Sequence, residues 1–189
     1  MRFRDIPQFT DCGTYEIDVP ITFIEKNLAD YEKTYGLELN PDFQRGHVWS
    51  EEQQTAYLEF FLKGGKSARV IYFNCPQFGR VTKECDMENM VLVDGLQRLT
   101  AIRAFLNDEI PVFGHYFSEY EDNNRITTLY ALKFHVNDLQ TKADVLKWYI
   151  EMNSGGVVHS KEEIARVKGL LDAENKKKEK RNVEYESKE

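Results

Sequence analysis

Apolar and polar side chains alternate over residues 15–19 (Tyr-Glu-Ile-Asp-Val), the period of a strand with one buried face. Pro20 ends that strand and suits a helix start. Ile21, Ile24, Leu28 and Tyr31 then recur at spacings of three and four through about residue 35, where Gly36 is the natural stop. Ser50-Glu51-Glu52-Gln53 reads as a capping box, with serine and glutamine side chains satisfying each other's backbone N–H groups. A helix is expected from there to about residue 63, ahead of Gly64-Gly65, with Tyr57, Leu58, Phe60, Phe61 and Leu62 as core. Residues 69–73 and the apolar run 90–93 read as strands, joined by a polar hairpin arm over 74–89.

Further along, residues 110–113 and 114–117 read as short β pieces. Pro111 puts the first at a sheet edge, because proline donates nothing to a ladder. Residues 130–136 alternate and predict another strand. Thr141-Lys142-Ala143-Asp144 opens a helix with Val145, Trp148, Tyr149 and Met152 on its apolar face, ending at Asn153-Ser154-Gly155-Gly156. A second capping box, Ser160-Lys161-Glu162-Glu163, starts a last helix carrying Ile164, Val167, Leu170 and Leu171 on one face. From about Asp172 the residues are almost all charged or polar, which reads as a solvated or frayed tail. The expected division is a domain over 1–171 and a charged tail over 172–189.

The most informative stretch runs from Val91 to Ile102. An apolar strand meets the turn pair Asp94-Gly95, and Leu96, Leu99, Ile102 and Leu106 then set up a helix at once. Gln97 and Arg98 therefore fall in the first helical turn, beside backbone N–H groups that lack partners within the helix. Strand, glycine turn and an arginine at a helix N-terminus make a candidate anion or phosphate site. The plainer reading is an ordinary strand-to-helix junction with a salt-bridged arginine. A second polar pair, Gln44-Arg45, lies in the aperiodic segment 39–49 between Phe43 and Trp49. It reads as a ligand-facing loop pinned by aromatics, or as a packed connection whose arginine pairs with a carboxylate. Asn153-Ser154-Gly155-Gly156 is a candidate phosphate nest or a turn between helices.

Composition narrows the classes. The 189 residues suit one domain, and 41% hydrophobic content allows a real core. A formal charge of −7 argues against a surface coated in cations for nucleic acid, though a local basic groove remains compatible. Cys12, Cys75 and Cys85 lack metal-ligand spacing and form no closed disulfide framework, and His115 and His135 have no companion at ligand spacing. With no apolar leader or membrane-length run, the expectation is a cytoplasmic protein without membrane contact.

Three segments taken together resemble one family. They are Pro41-Asp42-Phe43-Gln44-Arg45-Gly46-His47-Val48-Trp49, then Val93-Asp94-Gly95-Leu96-Gln97-Arg98-Leu99-Thr100-Ala101, then Asn153-Ser154-Gly155-Gly156 followed by Ser160. In order and distance they resemble the GmrSD-type N-terminal domain of the ParB/sulfiredoxin-like superfamily, over about residues 15–171. Its hallmarks are an early Gln-Arg before a tryptophan, a central Asp-Gly-Gln-Gln-Arg-Leu-Thr, and a later Asn-x-x-Gly.

The resemblance implies an α/β (α+β) fold, a small mixed sheet flanked by helices, with a cleft that binds or hydrolyses a nucleoside triphosphate with Mg2+. The implied setting is DNA restriction or phage defence, with DNA or a defence protein as partner. Carried over by residue, Asp94 would position metal or attacking water, Gln97 would orient a phosphate oxygen or water, and Arg98 would neutralise phosphate charge. Gln44, Arg45 and Gly95 would line the cleft, and Asn153, Gly155 and Gly156 would close it. Two departures stand out. Leu96 replaces the first glutamine of the motif, which weakens hydrolysis if that side chain faces the cleft and is harmless if it faces the core. No His-rich nuclease motif follows Leu171, so a stand-alone protein, such as one encoded by a phage, is expected rather than a two-domain restriction enzyme. The competing readings are a non-catalytic nucleotide sensor or modulator of host defence, and a metal-dependent DNA nickase.

Overall fold

The computed structural model describes residues 6, 15–44, 46, 48–79, 81–154 and 161–186. Among these, four strands form one mixed sheet: β1 (Tyr15–Pro20), β2 (Val70–Asn74), β3 (Val91–Asp94) and β4 (Ala131–Asn137), in the order β1-β4-β2-β3. β4 lies antiparallel to β1 and parallel to β2, while β2 and β3 pair antiparallel, as the expected hairpin arm requires. Six α-helices accompany the sheet among the described residues: α1 (Ile24–Tyr35), α2 (Glu51–Leu62), α3 (Leu96–Leu106), α4 (Asn123–Leu129), α5 (Lys142–Ser154) and α6 (Lys161–Glu186). The expected small mixed sheet flanked by helices is the observed fold.

Strand periodicity sorts the core into two layers. Leu132, Phe134 and Val136 of β4, with Ile71, Phe73 and Leu92, face one way and pack on Ile24, Leu28, Leu58, Phe61, Leu99, Ile102 and Phe105 of α1, α2 and α3. Val91 and Val93 of β3 face the other way, against Val145, Leu146, Trp148, Tyr149 and Ile150 of α5 and Val167 of α6. Phe43, from the aperiodic segment, is buried in this second layer with its ring 5.5 Å from that of Tyr149. Local signals perform as expected at the helix ends: the Ser50–Gln53 capping box forms, and Gly36 ends α1 in the left-handed conformation at φ 63°.

Three segments differ from, or add to, the sequence reading. Residues 110–117 form no strand. Only an isolated bridge joins Val112 and His115, closed by a tight turn with φ 50° at Phe113 and 79° at Gly114. Residues 123–129, with no apolar stripe to announce them, form α4, and only Ile126 among them packs on the core. The charged stretch after Asp172 continues α6 as helix to Glu186. No helix of the described residues is long and apolar enough to cross a membrane.

Buried carboxamides fasten the hairpin arm to the start of α5. Asn74 exchanges two 2.9 Å hydrogen bonds with the backbone of Leu139, donating to its carbonyl and accepting from its N–H. Gln140 accepts from the Thr82 N–H at 3.0 Å and donates to the Asp138 carbonyl at 2.7 Å. Cys75 lies buried beside this network, and burial pushes its thiol up to about 11, away from the reactive range.

Phe43 joins an irregular segment to a regular core, so its removal should be costly. Phe43→Ala is expected to destabilise the fold by about 3–5 kcal/mol in denaturant melts. A loss below about 1 kcal/mol would show that the segment is not anchored there.

Candidate functional site

The central motif folds as a strand, a glycine and a helix. β3 ends at Asp94, and Gly95 turns the chain at φ 109°, a region that L side chains rarely enter. A Cβ on Gly95 would also come within 2.7 Å of Ile71 Cδ1 and 3.2 Å of its Cα, so glycine is demanded by both dihedral and space. α3 starts at Leu96 with no side-chain cap, and its first internal bond joins the Leu99 N–H to the Gly95 carbonyl at 2.9 Å. The N–H groups of the first turn therefore lack helical partners, next to a charged pair.

That pair is Arg98 and Asp94, one helical turn apart, with Nη2 donating to Oδ2. The Arg98 side chain is only 16% exposed and that of Asp94 30%, a half-covered position where charge is screened less than at an open surface. Arg98 also lies close enough to Tyr57 to act on its hydroxyl. Burial pushes that hydroxyl up to about 12, against the opposing charges of Arg98 and Arg69. Trp49 packs on Tyr57 with ring centres 5.5 Å apart, forming an aromatic wall beside the arginine.

Two glutamines connect the first motif to this centre. Gln44 donates from Nε2 to the carbonyls of Leu92 at 3.1 Å and Val93 at 2.7 Å. Gln97 accepts at Oε1 from the N–H groups of Val48 (2.9 Å) and Trp49 (3.0 Å), and donates from Nε2 to the Gly46 carbonyl at 2.7 Å. The loop is thus stapled to β3 by its own glutamine and to α3 by the motif glutamine. The structure brings Gln44, Asp94, Gly95, Gln97 and Arg98 together. Arg45, Gly155 and Gly156 lie outside the described residues, as does the Ser160 capping box. Asn153 donates to the Tyr149 carbonyl at 2.7 Å, one turn beyond the ring that meets Phe43. Leu96 is partly buried and packs against the main core.

Arg166 belongs to the site without any motif to announce it. From α6 it donates to the Asp42 carbonyl at 2.8 Å and to the Phe43 carbonyl at 2.6 Å, gripping the loop from its other side. Its only sequence signal is a polar position on an otherwise ordinary helix face. His135 bridges Glu16 (3.0 Å) and Asn137 (3.1 Å), and its hydrogen bond holds the Glu16 carboxyl below the usual carboxylate range. His115 lies 3.9 Å from Glu119 on the surface. No cluster of three or more metal-ligating side chains occurs among the described residues.

Residues 24–131, more than half of the chain, match the family described as GmrSD restriction endonuclease, N-terminal domain. The chain belongs to that family. The matched region holds the Gln44 and Asp94–Arg98 motifs, while Asn153 lies beyond it. No curated protein and no solved structure matches the chain.

The geometry gives two tests of the scaffold. Gly95→Ala should cost about 2–3 kcal/mol in denaturant melts from the forced backbone alone, and a loss below about 0.5 kcal/mol would contradict the contact with Ile71. Gln97→Leu strands two N–H groups and a carbonyl. It is expected to cost about 1–3 kcal/mol and to speed limited proteolysis within residues 39–49, and an unchanged cleavage pattern would show that Gln97 does not hold the loop.

Proposed function

We propose that this chain is the nucleotide-binding, NTP-hydrolysing domain of a DNA restriction or phage-defence system, with its phosphate site at Asp94–Arg98. The observation that carries the reading is the Arg98–Asp94 pair set against an uncapped helix N-terminus behind Gly95. Backbone N–H groups of the first turn of α3 would donate to phosphate oxygens, and Arg98 would leave Asp94 to neutralise their charge. Because the pair is largely covered, the swap requires each member to gain a new partner at once, phosphate oxygens for Arg98 and the bound Mg2+ for Asp94.

Asp94 is the one carboxylate of the motif. A single carboxylate fits Mg2+, which is commonly held by one or two carboxylates together with phosphate oxygens and water. It does not fit a structural zinc site. When bound, the ion would supply charge neutralisation on the phosphates. In hydrolysis, water adds to the terminal phosphorus while the bond to the bridging oxygen breaks, yielding a nucleoside diphosphate and inorganic phosphate. That chemistry needs positioning and charge neutralisation more than a covalent nucleophile. Gln97, held to the loop by three hydrogen bonds, serves in this reading as a positioning residue. Leu96 packs against the core, and this reading assigns it no contact with the nucleotide.

One observation favours a second reading. With Gln97 hydrogen-bonded to the loop and Asp94 assigned to Mg2+, no other described residue of the central motif is assigned to orient the attacking water, as a nucleotide sensor without turnover would have it.

Calorimetry and phosphate release, with each of the four common NTPs and Mg2+, separate these readings. Hydrolysis is expected for at least one NTP, and Arg98→Ala should lower turnover by about 100-fold or more, with Arg98→Lys partly restoring binding. Binding without phosphate release would select the sensor. Absence of both binding and release would end the nucleotide reading.

A further inference from the structure

α6 is far richer in cations than the rest of the chain. Residues 176–181 read Lys-Lys-Lys-Glu-Lys-Arg, so five of the 25 lysines and arginines occupy six positions of a protein with net charge −7. Because the stretch is helical, Lys177, Lys180 and Arg181 fall three and four positions apart on one stripe. The stripe borders a cavity of about 590 Å3, lined also by Asp86, Lys142 and Glu174.

The carboxylates of this cleft are engaged within the protein. Asp86 accepts from the Lys142 N–H at 2.8 Å and lies 3.6 Å from Arg181, and Glu174 holds Lys177 at 2.8 Å. Lys142 turns its ammonium outward to Asp42 at 2.6 Å, and Lys180 makes no ion pair among the described residues. The Lys177 and Arg181 side chains are 65% and 53% exposed, so their ion pairs contribute little and can be exchanged for another anion at small cost. Along a helix, steps of three and four residues advance about 4.5–6 Å. That spacing lies between one and two phosphate steps of a nucleic-acid strand, about 3.4 Å each along the axis, within the reach of long, rotatable lysine and arginine side chains. Among the described residues, no aromatic or carboxamide side chain lines the cleft to read bases.

We infer that the cleft along Lys177, Lys180 and Arg181 of α6 is a contact surface for the sugar–phosphate backbone of duplex DNA. Its residues are distinct from those of the Asp94–Arg98 site. DNA is favoured over other polyanions because the family to which the chain belongs is described by a restriction endonuclease. The contact is sequence-independent, positioning the domain on DNA rather than selecting a site. α6 also carries Arg166, which grips the loop stapled to the central motif, so a strand held here would be tied through one helix to the candidate nucleotide site.

The test is fluorescence anisotropy of a short labelled duplex of random sequence, titrated with the full chain at several salt concentrations and without nucleotide. The triple variant Lys177→Glu/Lys180→Glu/Arg181→Glu is expected to bind at least about tenfold more weakly. Its log–log salt dependence should be shallower by about two to three, at roughly 0.9 for each phosphate that the variant no longer neutralises. A control pair on the exposed face of α1, Lys26→Glu/Lys33→Glu, should match the wild type. Circular dichroism checks the helix, and the triple glutamine variant gives the same readout should the reversal unfold it. Equal DNA affinity in wild type and triple variant, or equal loss in the control, would overturn the inference, as would preferential binding of polyglutamate over DNA. Because no nucleotide is present, failure here leaves the Asp94–Arg98 reading standing, and failure of that reading leaves this one.

Discussion

Everything near the candidate site depends on satisfying the backbone of one short strand. β3 has four residues and a neighbouring strand on one side only. On the other side the backbone of Glu38 accepts from the Leu92 N–H and donates to the Met90 carbonyl, and Gln44 supplies the carboxamide that caps Leu92 and Val93. An edge left bare would lose these bonds and invite pairing with another chain. The loop over residues 39–49 is therefore structural by necessity. Gln97 and Arg166 then hold it from α3 and α6, which makes loop, strand end and helix start one unit.

This arrangement explains how one motif can serve both fold and chemistry. Gly95 permits the abrupt turn, the first N–H groups of α3 are left without a side-chain cap, and Arg98 with Asp94 places opposite charges beside them. The Gln97 carboxamide holds the loop through Gly46, Val48 and Trp49, while the Arg98 and Asp94 side chains keep 16% and 30% of their surface exposed. Leu96 occupies a core-facing position, where a leucine is the more comfortable choice than a glutamine.

Local chemistry was legible in the sequence wherever its cause is local. The Ser50 capping box, the Gly36 stop, the β4 alternation and the Gly95 turn each depend on residues within a few positions. What escaped depends on distance or on missing pattern. Gln44 and Gln97 act on backbone 48 to 51 residues away, and no spacing rule tells a carboxamide that faces a ligand from one that faces a carbonyl. Arg166 reaches across 123 residues. α4 has no buried residue to set a period, and the strand signal over 110–117 had too few residues to outweigh a tight turn at Phe113 and Gly114.

The central claim is that phosphate binds at the start of α3. Amide chemical-shift mapping of the labelled protein with a non-hydrolysable triphosphate and Mg2+ tests it most directly. A phosphate held there predicts saturable shifts that are largest at the N–H groups of Leu96, Gln97 and Arg98, and smaller ones at Val48 and Trp49 through the Gln97 staple. Saturable binding that leaves the amides of 95–98 unmoved would contradict it.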